Sequence, residues 1–386
     1  MTTTGGKTDY GIWGRDHPAD VIKQFEDALS LPVSVTGALM ADAHLGYGIP
    51  IGGVLATRNA VIPYAVGVDI ACRMKMSILS TPVERFQNNR RVYRAAIERE
   101  TSFGVGKKFK KARHHRVMDE DWHFSKYVRS LKDTASRQLG TSGSGNHFAE
   151  FGILTLDTAG LGLASGRYLA FLTHSGSRGA GASIAKHYSS IAKKKHPELP
   201  KGLNNLAWLD MDSEEGEEYW KAMELMGRYA SANHEVIHDG VLGELGERTI
   251  SSIENHHNFA WKETLGEKEL IVHRKGATPA AAETLAVIPG SMASPAFVVR
   301  GRGIKRSIRS AAHGAGRKMS RSAAKKKFRM KDLEKVLDEN SITLISAGID
   351  EVPMAYKDIE SVMNEQRDLV DIVARFDPLL VKMAPS

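Results

Sequence analysis

The stretch SAAHGAGRKMSR, residues 310–321, sets His313 among small residues, with Gly314 and Gly316 close behind and basic side chains on both sides. Glycine lets a ligand approach the main chain. The surrounding positive field favours anions. An imidazole is thereby placed where a phosphate-bearing ligand would be held. A second group has metal-ligand chemistry. Asp69 and Cys72 lie three apart, and His147, His174 and His257 each fall in a separate turn-like segment. One carboxylate, one thiolate and three imidazoles suit a transition metal such as Zn or Mn, or two metals sharing the thiolate. The plainer alternative is that the histidines bond structural carbonyls and that Cys72 is a small buried hydrophobe.

Two further signals compete. HEVIH, residues 234–238, matches H-E-x-x-H, which on a helix puts two histidines on one face with a glutamate as general base. No third ligand follows in a matching downstream helix, and Asp239-Gly240 reads as the helix end. The alternative is exposed polar residues at a helix terminus. SGSRG (175–179) and SGSGN (142–146) resemble nests of backbone N–H groups that face an anion, with Arg178 adding a fork-shaped donor. Either could equally be a tight turn. The sequence has neither a P-loop nor a Rossmann fingerprint after a strand.

The elements that must carry these residues alternate between strand and helix. Short runs rich in β-branched residues and punctuated by Gly or Pro predict strands at 53–62, 73–79, 168–174, 269–276, 284–290, 296–301 and 343–348. Helices are predicted at 82–101, 181–195 and 213–237, with a short final helix at 367–376. The polar turns at the strand ends hold the candidate residues, which is where sites are usually built. No repeat or linker divides the chain, so 1–386 reads as a single α/β domain.

Composition bounds the function classes. With 42% hydrophobic and 25% charged residues, the 386-residue chain can bury a large core. No run approaches a membrane span, and the opening MTTTGGKTDYGIWGRDHPAD has no apolar signal core. One cysteine excludes an intrachain disulfide, and the cytoplasm is the expected compartment. The net charge of +8 is concentrated in GKKFKKARHHR (106–116) and in Arg300–Met330, which holds no acid. Two such blocks interleaved with Gly and Ser point to a phosphate-bearing partner.

Taken together, DAHLGYGIPIGG, AVIPYAVGVDIACRM, GSGNHFAEF, HSGSRGAG, HHNFAWKE, HRKGATPA, IPGSM, HGAGRKMSR and AYKDIESVM resemble the RtcB family of GTP-dependent RNA ligases. The blocks run in order from about residue 40 onward. The resemblance implies an α/β fold with central β-sheets, surrounding helices and a cleft lined by strand-end loops. It implies an enzyme joining RNA 3′-phosphate or 2′,3′-cyclic phosphate ends to 5′-hydroxyl ends, in RNA repair or tRNA splicing. GTP and two Mn²⁺ ions would be the cofactors, and the protein would be a cytoplasmic monomer. By motif, His313 is the nucleophile that takes GMP, and Asp42 orients it. Cys72 bridges the two metals, His174 and His257 complete one site, and Asp69 and His147 the other, with His256 a neighbour. Asn146, Glu150, Ser291, Gly316, Tyr356 and Lys382 would contact the nucleotide. Arg178, Lys275 and Arg317 would lie along the phosphate path, and the basic blocks would guide RNA by its backbone. This chain departs from the family pattern at Ala71 and Arg73, where glycines are usual, at Ala293 and Phe297, and at Met383 after the lysine. The departures mark a divergent bacterial paralogue. The alternatives are a hydrolase that only opens cyclic phosphates and a non-catalytic RNA-binding paralogue.

Overall fold

A computed structural model describes residues 10–385; the first nine residues of the opening segment read for a signal core lie outside them. Two sheets carry the site. The first has five strands in the order Tyr10–Ile12, Ser34–His44, Ile51–Thr57, Lys268–Lys275 and Asn258–Leu265. Only its first pair is parallel. The second runs Leu285–Pro289, Ala296–Gly301, Val370–Met383, Phe148–Leu156, Gly166–Ser175, Arg73–Leu79 and Thr249–His256, with Thr343–Ser346 paired alongside Val370–Met383. The last-named pair is parallel and the rest are antiparallel. A two-stranded ribbon, Ala277–Pro279 with Ser310–Ala312, leads to His313. The α/β class with central sheets is as the sequence predicts.

Helices cover the second sheet. The longest, Glu214–Leu245, begins where the Ser213 hydroxyl accepts from Gly216 N at 3.1 Å. Three glutamates in its first turn favour the dipole. It ends at Gly246, whose φ of +64° suits a residue without a Cβ. Helices Lys126–Gln138 and Arg178–Lys195 pack with it around Trp122, Tyr188, Tyr219 and Tyr229. Each such ring contributes on the order of 2 kcal/mol by leaving water. No helix among the described residues is long and apolar enough to cross a membrane.

Four expectations need correction. The segment 367–376 is not a helix. Val370–Met383 is a 14-residue strand at the centre of the second sheet. Its apolar residues at 369, 370, 373 and 376 mimic a helical stripe. Burial instead follows the pleat, with Ala374 and Phe376 inside and Arg375 out. The predicted helix at 82–101 is two, Val83–Asn88 and Arg90–Glu100, broken at Asn89. The helix holding HEVIH runs past Asp239-Gly240 to Leu245. The turn-like segment expected around His257 is instead two strands, Thr249–His256 and Asn258–Leu265. The first belongs to the second sheet and the next to the first sheet, and His257 is the single residue between them.

Candidate active site and metal centre

A cleft of about 870 Å³ opens where the ends of both sheets meet. The ligand candidates arrive on four separate pieces of chain. Asp69 and Cys72 come from the turn before strand Arg73–Leu79, and His147 immediately precedes strand Phe148–Leu156. His174 lies within strand Gly166–Ser175, not in a turn, and faces Phe148 and Met74 on its two neighbours. The His257 main chain donates to Cys72 O at 3.0 Å, tying the corner to the cysteine.

The donor atoms converge. Cys72 Sγ lies 3.1 Å from His174 Nε2 and 3.3 Å from His147 Nε2. His174 Nε2 is 3.2 Å from His257 Nε2, and Asp69 Oδ2 is 3.0 Å from His147 Nε2. Two sets form, Cys72/His174/His257 and Asp69/Cys72/His147, with the thiol in both. Orientation is imposed from outside. His147 Nδ1 donates to Ser142 O and His174 Nδ1 to Asn146 O, both at 3.0 Å. With Nδ1 engaged in this way, each Nε2 is aimed into the cluster. Backbone carbonyls fix metal-binding histidines in the same way. Burial holds His174 and His257 well below the usual histidine range, so both are neutral. Burial would raise Asp69, yet the hydrogen bond and charge of His147, with Arg178 behind, hold it well below the carboxylate range. Burial and then Asp69 push the Cys72 thiol up. Electron-rich atoms held face to face this closely suit a cation among them, and a cation would draw the proton from the thiol.

His313 stands beside this cluster, its ring centroid 4.8 Å from that of His257. Its Nδ1 is 2.7 Å from Asp42 Oδ2, and its main-chain N donates to the same oxygen at 3.3 Å. Asp42 is fully buried, and its other oxygen has no partner. Gly316, at φ +71°, packs on the Asp42 main chain; a Cβ there would stand 2.2 Å from Asp42 O. Cleft and site therefore share one support, the end of strand Ser34–His44.

Residues 24–127 and 118–383 match the family model described as tRNA-splicing ligase RtcB. The chain belongs to the RtcB family. It is 34% identical to the RNA-splicing ligase RtcB of Escherichia coli K12, over 94% of each chain. It is 30% identical to the tRNA-splicing ligase RtcB of Nanoarchaeum equitans, over 89% of this chain and 87% of that one. A Thermococcus kodakarensis tRNA-splicing ligase RtcB shares 28% over 88% and 86%.

The remaining RtcB-family residues divide by position. Asn146, Glu150, Ser291, Gly316, Tyr356, Lys275 and Arg317 all line the cleft. Burial raises the Glu150 carboxyl well above its usual range. Burial lowers the Lys275 ammonium to about 7. Lys275 Nζ donates to Tyr47 O. Arg317 is engaged by Glu351 at 2.8 Å, Asp350 O at 2.7 Å and the Tyr356 hydroxyl at 3.2 Å. Arg178 stands behind the cluster, Nη1 3.3 Å from His147 Nδ1. Lys382 is not brought to the cleft. Strand alternation turns Met383 into it, while Lys382 Nζ reaches Thr101 Oγ1 at 3.2 Å.

HEVIH is a different structure from the one its pattern suggests. His234 and His238 are buried, not exposed, and share the Thr173 hydroxyl at 2.7 and 2.9 Å. Ser77 meets the other nitrogen of His238 at 2.8 Å, and Glu235 turns away to His115. Supporting residues went unread in the sequence. Asn258 donates to Asp69 O at 3.2 Å and accepts from Gly276 N at 2.8 Å. Lys357 Nζ donates to Ala41 O and Ala43 O at 3.0 and 3.2 Å, bracketing Asp42. Both lie inside quoted motif blocks, next to His257 and Tyr356, but nothing in their type marks them as supports.

Proposed function

We propose that this RNA ligase works by nucleotidyl transfer through His313, with GTP as the donor. The observation that carries the reading is the 2.7 Å contact between His313 Nδ1 and the buried Asp42 carboxylate. A carboxylate accepts only, so Nδ1 carries the proton and Nε2 keeps the lone pair that attacks. The new N–P bond forms at the α-phosphorus, and pyrophosphate leaves. The phosphoramidate then passes GMP to an RNA 3′-phosphate, and a 5′-hydroxyl displaces GMP to close the strand. A 2′,3′-cyclic phosphate is opened by water first.

Cys72, His174 and His257 would hold one divalent cation, and Asp69, Cys72 and His147 a second, with Mn²⁺ the expected metal. When bound, such ions neutralise charge on phosphate oxygens. The chain's own groups do the rest. Lys275 and Arg317 face the phosphates, Arg178 backs His147, and protonated Glu150 donates to the nucleotide with Asn146, Ser291 and Tyr356 around it. Gly314 and Gly316 let the nucleotide lie on the main chain.

Incubation with α-labelled GTP and Mn²⁺, followed by denaturation, tests the reading. Wild-type protein should retain label and His313→Ala should not. Label on both, or on neither with metal bound, would overturn His313 as the carrier.

A further inference from the structure

Tyr47 is 72% exposed at the mouth of the cleft, although the loop that carries it is firmly held. The Gln24 side chain, on helix Ala19–Leu29, makes three bonds to that loop. Its amide donates to Gly46 O at 2.5 Å and Gly48 O at 3.1 Å, and its oxygen accepts from Gly46 N at 3.2 Å. The carbonyl of Tyr47 itself accepts from Lys275. Leu45, 52% exposed, extends the apolar rim on the same loop. The main chain is thus pinned at three successive residues while a large ring is held out in water. An aromatic ring on a rigid support costs little ordering entropy when something stacks on it.

We infer that Tyr47 is a stacking platform for the terminal nucleobase of an RNA end entering the cleft. The inference rests on the RNA-ligase reading. The groups inside the cleft handle phosphate, and a terminal phosphate or hydroxyl carries its base one sugar away. Lys275 fixes the relation between the two, since one residue supplies the ring outside and the carbonyl that holds the ammonium inside. Stacking tolerates any base, because every base has a π-face.

The test is equilibrium binding of fluorescent RNA, followed by anisotropy, with no nucleotide turnover needed. Tyr47→Ala should weaken binding by about 5- to 100-fold, and Tyr47→Phe should retain it. An abasic terminal nucleotide should weaken wild-type binding by the same factor and leave Tyr47→Ala no weaker still. Placing the abasic site at the 3′-phosphate end or the 5′-hydroxyl end identifies which base stacks. Wild-type affinity in Tyr47→Ala would overturn the inference, as would two losses that multiply. Ring-dependent binding in a protein that takes no label from GTP would instead overturn the nucleotidyl-transfer reading alone.

Discussion

Asp42 gives one carboxylate oxygen to His313 and keeps the other buried and unpaired. A buried, half-satisfied carboxylate is costly, and the bracket of Lys357 around its main chain keeps a positive charge close by. Asp42→Asn should preserve the shape and reverse the proton. The amide would offer N–H to Nδ1, the proton would move to Nε2, and the attacking lone pair would be lost. We expect self-labelling to fall by about 10²- to 10⁴-fold while thermal unfolding shifts by a few degrees; a wild-type labelling rate would exclude the orienting role. Lys275 gives a second residue-scale prediction. Burial lowers its folded-state value to about 7, against about 10.4 in an unfolded chain. Below 7 both states are charged and the folded protein bears the full cost of burying that charge. Between 7 and about 10.4 the unfolded state binds more protons, so this cost fades as pH rises. Lys275→Met should therefore stabilise the fold more at pH 6 than at pH 10 in urea titrations.

At the scale of elements, the turn 67–72 gives one departure from the family pattern a backbone cost. Ala71 sits at φ +56°, in the left-handed region where glycine is favoured, with its N–H donating to Asn258 O at 2.7 Å. Ala71→Gly should raise stability by up to about 1 kcal/mol without moving Cys72, read as a shift in denaturation midpoint at constant slope. Arg73 has a compensating structure of its own. It points away from the cleft to Glu254, which also takes Lys75 at 3.0 Å and Ser231 at 2.7 Å. Nothing in the structure explains why Ala293 or Met383 replaces the usual residue. Legibility follows the same physics. The strand at 296–301 was readable because a run with two valines ended in Gly, and the one at 73–79 because a short apolar run ended at Ser80-Thr81-Pro82. Strand Val370–Met383 was not, because a buried strand at a bulged register loses its alternation; the register slips beside Pro378. His313 and the metal-ligand candidates stood out as a proposed nucleophile and donor set because their blocks match a family. Lys357 and Asn258 were hidden because they act on main-chain atoms, which leave no side-chain pattern.

For the whole molecule, buried neutral histidines set the response to acid. Burial holds His44 and His273 at about 4, and His234 and His256 at about 3. His273 accepts from Ile62 N at 2.9 Å and bonds Leu55 O at 3.1 Å, so it bridges strands only while neutral. Unfolded histidines titrate near 6.5. Between that value and about 4 the unfolded state binds more protons, and stability must fall as pH falls. Urea unfolding with chelator present should show a loss of several kcal/mol between pH 6.5 and 4; a flat profile there would contradict the buried, neutral assignment.

The strand Val370–Met383 also dictates when the protein can exist during its own synthesis. It joins Ala296–Gly301 on one side to Phe148–Leu156 on the other. A growing chain that has reached residue 366 already holds His313 and every metal-ligand candidate, yet the two halves of its sheet have no partner. The nascent chain must wait with those edges open, and a wait of this kind is the period in which chaperones or aggregation compete for it. A fragment released at 366 should be digested readily under proteolysis that spares the full chain. Catalytic maturity would then arrive with this one strand, all at once.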